Sequence, residues 1–319
     1  NIEPELPIID DSPFILRTAR WVFWMGAQLG LYAGVFVSMM AAMVYFKQDG
    51  MLYHPAVPDE RYRYPENMPP GYRNPKENGM DFEDCHIVTK DKVKLHAWFV
   101  KANPSPKLCR TLIFFHGNAG NIGSRLPNIE LLVKRLNTNV LILAYRGYGN
   151  SEGTPSEEGL ALDAEATLEY ALSRDDIINK DRLFVFGRSL GGAVAVRLGM
   201  DKSNQFKGMI IENTFTSISD MVDSLMPLVA YFKTFIQRIF YPSLERIPKI
   251  SCPILFVRGL KDEIVPTDHG KRLFDSATGA KFKEMYECPE GDHNYTWKIG
   301  GDDYVNAFKN FFVKCETTQ

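Results

Sequence analysis

The stretch LFVFGRSLGGAVAVRLG, Leu183 to Gly199, carries an apolar run into a glycine-flanked serine and out again with helical spacing. Two readings of Ser189 compete. It is a nucleophile held on a tight strand-to-helix turn, or an ordinary helix cap beside a glycine-rich junction. Gly187, Ser189 and Gly191 satisfy the pattern G-x-S-x-G, and side chains at the two glycines would clash in so tight a turn. The pattern is short enough to arise by chance. Its place after an apolar strand and at the opening of a helix gives it weight, because a helix N-terminus there offers free N–H groups to an oxyanion.

The surrounding chain repeats the same alternation. Short apolar runs stand at 111–116, 140–145, 182–187, 208–213 and 253–259. Helix-like periodicity separates most of them, at Leu126–Leu136, Glu157–Ser173, Leu190–Met200 and His269–Ala277. Continuous apolar strands alternating with helices predict a mostly parallel central sheet covered on both faces, an α/β fold. FEDCHIVT and VKLHAWFVK, on either side of Lys90–Lys92, predict an antiparallel hairpin ahead of it. FKEMYEC and DYVNAFKNFFVKC complete the α/β layers. The long apolar segment from Ser217 to Ile247 interrupts the alternation and predicts a helical cap at about 217–247. Its Met221, Leu225, Phe232 and Phe235 are candidates to line an acyl site.

A serine needs a base to take its proton, and the base needs an acid to orient it. In this type of fold the expected chain order is serine, acid, histidine. Asp262 follows the run 253–259 and His293 follows the next strand, so both fall on loops at the edge where Ser189 emerges. Glu212, Glu263 and Asp292 are rival acids, and Asp262 is preferred. His54, His86, His96, His116 and His269 lack either the order or the placement. The second oxyanion donor is expected from the glycine-rich FFHGNAGN, 114–121: the Leu190 N–H paired with that of Asn118, or of Ala119 if the loop register differs by one. His116 braces that loop, and 145–153 is a shaped loop beside the pocket. No H-E-x-x-H, paired-cysteine or phosphate-cradling pattern is present, so neither metal nor cofactor is expected.

Trp21 to Phe46 runs 26 residues without a formal charge, with aromatics at both ends. At about 1.5 Å per residue a helix here reaches roughly 39 Å, enough to cross a hydrocarbon core of about 30 Å. A single-pass anchor is expected, in a membrane the residues do not identify. Arg17 and Arg20 before the span nearly balance Lys47, Arg61 and Arg63 after it, which leaves the topology open. Gly26, Gly30 and Gly34 share one helix face and suit a helix partner. The expected organisation is a tail at 1–20, the anchor at 21–46, a proline- and tyrosine-rich linker or surface-draped segment at 47–80 and the α/β domain at 81–319.

The whole chain has 319 residues, 45% hydrophobic and 24% charged, with a formal net charge of −2, which supplies no basic footprint for nucleic acid. Five scattered cysteines read as core thiols rather than a disulfide framework.

FFHGNAGNIGSRLPN, YRGYGNSEGTPSEEGLALDAEA, VFGRSLGGAVAV, IIENTFTSI and GDHNYTW, in this order, resemble the Bem46-like branch of the α/β-hydrolases. The resemblance covers about residues 40–315 and includes the N-terminal anchor. It implies the α/β-hydrolase fold, the triad Ser189, Asp262 and His293, and a serine hydrolase acting on lipid esters or protein S-acyl thioesters. One departure is Ala144, where the family often has an acid before Tyr-Arg-Gly; it touches the loop rather than the triad. Asn294–Tyr295–Thr296 is a glycosylation sequon beside His293, where a glycan would crowd the site, and it is read as coincidental. The expected partners are therefore an acyl ester or thioester, the bilayer and a possible membrane helix, with no nucleic acid. The competing expectation is a non-catalytic subunit of a membrane assembly that retains a hydrolase body.

Overall fold

The computed structural model describes residues 13–318, so residues 1–12 of the expected tail lie outside it. The chain divides into two compact units, one ending at Lys47 and one running from Gln48 to Gln319. Helix α1, Phe14–Leu52, is 39 residues long and buries none of its side chains. It starts just after Pro13, whose carbonyl accepts the Leu16 N–H at 2.8 Å. The helix extends beyond the charge-free run at both ends, because nothing between 14 and 20 or between 47 and 52 breaks it except the tolerated Gly50. Its mean hydropathy of 1.8 over the most apolar window makes it long and apolar enough to cross a membrane. A methyl group on Gly26, Gly30 or Gly34 would meet nothing within 4 Å among the described residues.

The second unit is built on one eight-stranded sheet, comprising β1 Phe82–Val88, β2 Lys94–Val100, β3 Arg110–Phe115, β4 Thr138–Leu143, β5 Leu183–Arg188, β6 Gly208–Glu212, β7 Ile254–Gly259 and β8 Lys283–Cys288. Their order across the sheet is β1-β2-β4-β3-β5-β6-β7-β8. β2 runs antiparallel to β1 and β4, and every pairing from β4 to β8 is parallel. The alternation of strand and helix dictates this arrangement, since a parallel return needs a crossover. Helices α2 Leu126–Leu136, α3 Glu157–Ser173, α4 Leu190–Lys202, α6 Asp268–Ser276 and α7 Gly301–Thr317 supply most of those layers.

The period of two along each strand divides the core between the two faces. Ile113 and Phe115 of β3 and Leu183 and Val185 of β5 join Leu160, Ala164, Val194 and Leu198 on one side. Leu112, Phe114, Phe184 and Phe186 join Leu126, Ile129, Phe308, Phe311 and Phe312 on the other. Between β3 and β5 the chain reverses its direction of travel across the sheet, since β4 lies on one side of β3 and β5 on the other. Open α/β sheets leave a crevice outside the carboxyl ends of their strands at such a point. The loop after β3 and the turn after β5 both open there.

Residues 53–80 form three short 3₁₀ turns at Glu60–Arg63, Pro65–Asn67 and Pro75–Asn78 rather than strands. Proline at that density suits such turns. The segment is packed against the body: Tyr53, Pro65, Pro75 and Met80 are buried. His54 makes a bridge with the loop after β3, its N–H donating to the Asn118 carbonyl at 3.0 Å. The region after β6 contains one helix of two turns, α5 Ile218–Leu225, and single turns at Pro227–Ala230, Lys233–Ile236 and Ser243–Arg246.

At the turn itself, Ser189 adopts φ 54° and ψ −121°, and α4 begins at the next residue. A Cβ on Gly191 would stand 1.9 Å from the Phe115 carbonyl oxygen, and one on Gly187 would stand 2.2 Å from the Gly191 carbonyl oxygen. The two glycines are what let α4 press against β3 while the serine projects. Gly191→Ala is expected to cost about 3 kcal/mol through overpacking, a fall in Tm of roughly 6–12 °C in thermal unfolding. A parent-like Tm would show that the turn has room to spare.

Candidate active site

The left-handed φ that Ser189 is held in lifts its Oγ out of the sheet edge. The Ser189 N–H donates to the Glu212 carbonyl at 2.9 Å, and its carbonyl accepts the Gly192 N–H at 2.9 Å and the Thr214 hydroxyl at 2.7 Å. A Cβ on Gly192 would meet the Thr214 Cβ at 2.5 Å, so this third glycine lets the helix sit on the residues that follow β6.

His293 brings its Nε2 to 3.0 Å from the Ser189 Oγ. Its Nδ1 lies 2.7 Å and 2.9 Å from the two carboxylate oxygens of Asp262. Assigning the Nδ1 proton to the carboxylate leaves the Nε2 lone pair facing the serine hydroxyl. The Asp262 Oδ1 also accepts the N–H groups of Ile264 at 2.9 Å and Val265 at 2.8 Å. These backbone donors help hold the carboxylate in place against the imidazole. Ser189 and His293 are both largely buried.

The rival acids are committed elsewhere. Glu212 takes the Arg188 Nε at 2.7 Å and the Tyr304 hydroxyl at 2.7 Å, in a fully buried cluster. Asp292 caps its own turn by accepting the N–H groups of Asn294 and Tyr295. Glu263 accepts the His293 N–H at 3.3 Å, on the backbone rather than the ring. The other histidines are likewise occupied or remote. His96 pairs with Asp84 at 2.7 Å, the His269 Nδ1 accepts the Thr216 N–H at 3.2 Å, and His54 and His86 are exposed.

The loop after β3 faces the same place. A Cβ on Gly117 would lie 3.6 Å from the Ser189 Cβ. The Asn118 carbonyl accepts the His54 N–H and the Tyr148 hydroxyl at 2.7 Å, while its side-chain amide donates to the Leu52 carbonyl at 2.9 Å. Among the described residues no carbonyl receives the N–H of Leu190, Asn118 or Ala119. His116 sits under the loop, its Nδ1 2.7 Å from the Gly117 carbonyl and its own carbonyl accepting the Tyr145 hydroxyl. Burial first, and the nearby Arg125 charge second, push the His116 pKa down to about 3, so the ring is neutral.

Several contributors escaped the reading of the chain. Asn213, at φ 46° just after β6, donates through Nδ2 to the carbonyls of Asp292 and His293 and accepts the Gly259 N–H at 2.8 Å. It holds the histidine loop against β7. The signal available was a single asparagine closing an apolar strand in IIENTF. The candidate cap residues differ in burial. Met221 packs partly against the core, but Leu225, Phe232 and Phe235 are 55%, 56% and 84% exposed. The cap is tied at its far end to residues that follow the apolar run. The Gln48 amide donates to the Ile236 carbonyl at 2.6 Å, and Asp49 pairs with Arg238 at 2.7 Å. Among the described residues no three His, Cys, Asp or Glu side chains converge as metal ligands would.

Residues 106–244 match the family model described as serine aminopeptidase, S33. The chain is 37% identical over 297 residues to the Alpha/beta hydrolase domain-containing protein WAV2 of Arabidopsis thaliana, an alignment covering 89% of this chain and 92% of that one. It is 38% identical over 286 residues to Protein bem46 of Schizosaccharomyces pombe, covering 88% and 91%. An uncharacterized membrane protein of Saccharomyces cerevisiae is 36% identical over 241 residues, covering 75% and 82%. Among solved structures, the Pyrococcus furiosus esterase Pf2001 superposes with a TM-score of 0.62 at 21% identity, covering 76% of this chain and 95% of that one. The chain belongs to the α/β-hydrolase family, in the group that contains Bem46 and WAV2.

The low pKa of His116 has a consequence for stability. Its folded value lies below the ordinary value near 6.5, so its contribution is full above about pH 6.5 and is lost as pH falls toward about 3. Within that window acidification costs up to about 1.4 kcal/mol per pH unit from this group. His116→Gln is expected to flatten the decline of Tm between pH 6.5 and 4. A slope unchanged from the parent would contradict the assignment.

Proposed function

We propose that this chain is a membrane-anchored serine hydrolase that cleaves a lipid ester or a protein S-acyl thioester through an acyl-enzyme intermediate. The observation that carries the proposal is the continuous hydrogen-bond chain from Ser189 through His293 to Asp262, built on a serine in the strained conformation of a nucleophile elbow. In this reading the Ser189 Oγ attacks the acyl carbonyl as the His293 Nε2 takes its proton. Asp262 keeps the other ring nitrogen protonated and balances the imidazolium that forms. The N–H groups of Leu190 and Asn118 are assigned to the developing oxyanion, with Ala119 as the other candidate in the same loop. His293 then returns the proton to the leaving alcohol or thiol, and water activated by the same imidazole releases the acid.

Three observations support the substrate class and the location. The α/β-hydrolase family and the esterase likeness favour hydrolysis of an acyl bond. The exposed apolar side chains of Leu225, Phe232 and Phe235 suit contact with an acyl chain or a lipid surface better than with a hydrophilic peptide. Helix α1 is long enough for a single crossing of a bilayer, and the yeast relative is named as a membrane protein.

A fluorophosphonate probe is expected to label the full-length protein, and Ser189→Ala to abolish the label. Ester turnover should fall by about 10⁶-fold in that variant, as when a triad serine is removed. Well-folded protein that takes no label and turns over no ester would overturn the proposal in favour of a non-catalytic membrane subunit.

A further inference from the structure

Beside the nucleophile the protein keeps more positive charge than it neutralises. Burial first, and the nearby Arg188 charge second, bring the Arg125 pKa down to about 10. It therefore stays charged at neutral pH. Glu212 is the carboxylate of this cluster, and Arg188 and Tyr304 occupy it. His116 is neutral and brings no negative charge. Among the described residues Arg125 meets no carboxylate. Its Nη2 donates to the Ala119 carbonyl, and its Nε is shut off from solvent without a hydrogen-bond partner. A guanidinium has five donors, so a single carbonyl leaves most of them free. Holding a cation in this state is costly unless an anion completes it.

The position of the charge is as telling as its isolation. A methyl group placed on Gly117 would sit 3.6 Å from the Ser189 Cβ and 4.0 Å from the Arg125 Nη2, so one small group separates the guanidinium from the nucleophile. The residue is intermediate in exposure, with its Nε closed to solvent.

We propose that Arg125 forms an anion subsite next to Ser189, and that the preferred substrates carry a carboxylate or phosphate close to the scissile acyl bond. The inference rests on the serine-hydrolase reading and narrows it to anionic esters. Either oxyanion would supply the counter-charge that the guanidinium lacks, through the N–H groups that the Ala119 carbonyl leaves free. A purely structural role, clamping the Ala119 carbonyl, would instead serve neutral and anionic substrates alike.

Two matched pairs of substrates separate the sources of the anion, using full-length protein in detergent. Mono-4-nitrophenyl glutarate against 4-nitrophenyl pentanoate places a carboxylate on the acyl side. 1-Oleoyl lysophosphatidic acid against 1-oleoylglycerol places a phosphate on the leaving-group side. The wild type is expected to favour the anionic member of at least one pair by about ten-fold in kcat/KM, the effect of roughly 1.4 kcal/mol. Arg125→Gln should erase that preference, chiefly through KM, while changing the neutral member by less than about three-fold, and Arg125→Lys should restore part of it. No preference in the wild type, or an equal loss on both members in Arg125→Gln, would overturn the proposal. A binding readout stands apart from turnover: glutarate or inorganic phosphate should raise the Tm of Ser189→Ala and fail to raise that of Ser189→Ala with Arg125→Lys to the same extent. Equal shifts, or none in either, count against the subsite. Loss of probe labelling at Ser189 in the wild type would instead strike the hydrolase reading and leave the binding result to stand alone.

Discussion

The contact on which the rest of this structure depends is the one between Gly191 and the end of β3. With a Cβ there, the first turn of α4 would collide with the Phe115 carbonyl, and the strand-to-helix turn could not be so tight. Because it is tight, Ser189 is forced to positive φ and its hydroxyl leaves the sheet edge. The same close approach brings the loop after β3 against the serine, where Gly117 leaves space between them. One steric constraint thus sets Ser189, the helix N-terminus and the facing loop together.

The polar network around that constraint is arranged so that each acidic group has one task. Asp262 is held by two backbone N–H groups and serves His293, while Glu212 is consumed by Arg188 and Tyr304. Each Glu212 oxygen already has a donor, Arg188 on one and Tyr304 on the other. This division explains why the nearer acid along the sheet, Glu212, is not the one that meets the histidine. Among the described residues it also leaves Arg125 without a carboxylate partner.

Much of this was legible in the residues because it is local. The apolar runs of β3 to β7 and the helical periods between them define the sheet, and the glycines around Ser189 define the turn. Asp262 and His293 could be chosen from chain order alone, since parallel strands place successive loops at one edge. What escaped is long-range and carried by single side chains. Nothing near Asn213 in the chain reveals that it braces a loop some eighty residues away. The proline-rich stretch after the apolar helix read as a linker or a segment draped over the surface, without showing which of its residues anchor it: Tyr53, Pro65 and Met80 are buried and His54 donates its N–H to the Asn118 carbonyl. Arg125 passed unnoticed because the absence of a partner has no sequence pattern. The cap was visible as an apolar segment, but composition could not say that Phe232 and Phe235 would face outward.

The central claim is that Ser189 carries the acyl group during turnover. Arg188 lies immediately before it, so trypsin releases a peptide, 189–197, that begins at Ser189. Mass spectrometry of protein quenched in acid during turnover of a 4-nitrophenyl ester should find the acyl mass on that peptide. It should be absent from the same peptide of Ser189→Ala. Steady turnover with no acyl adduct at Ser189, or with the adduct on another residue, would contradict the account.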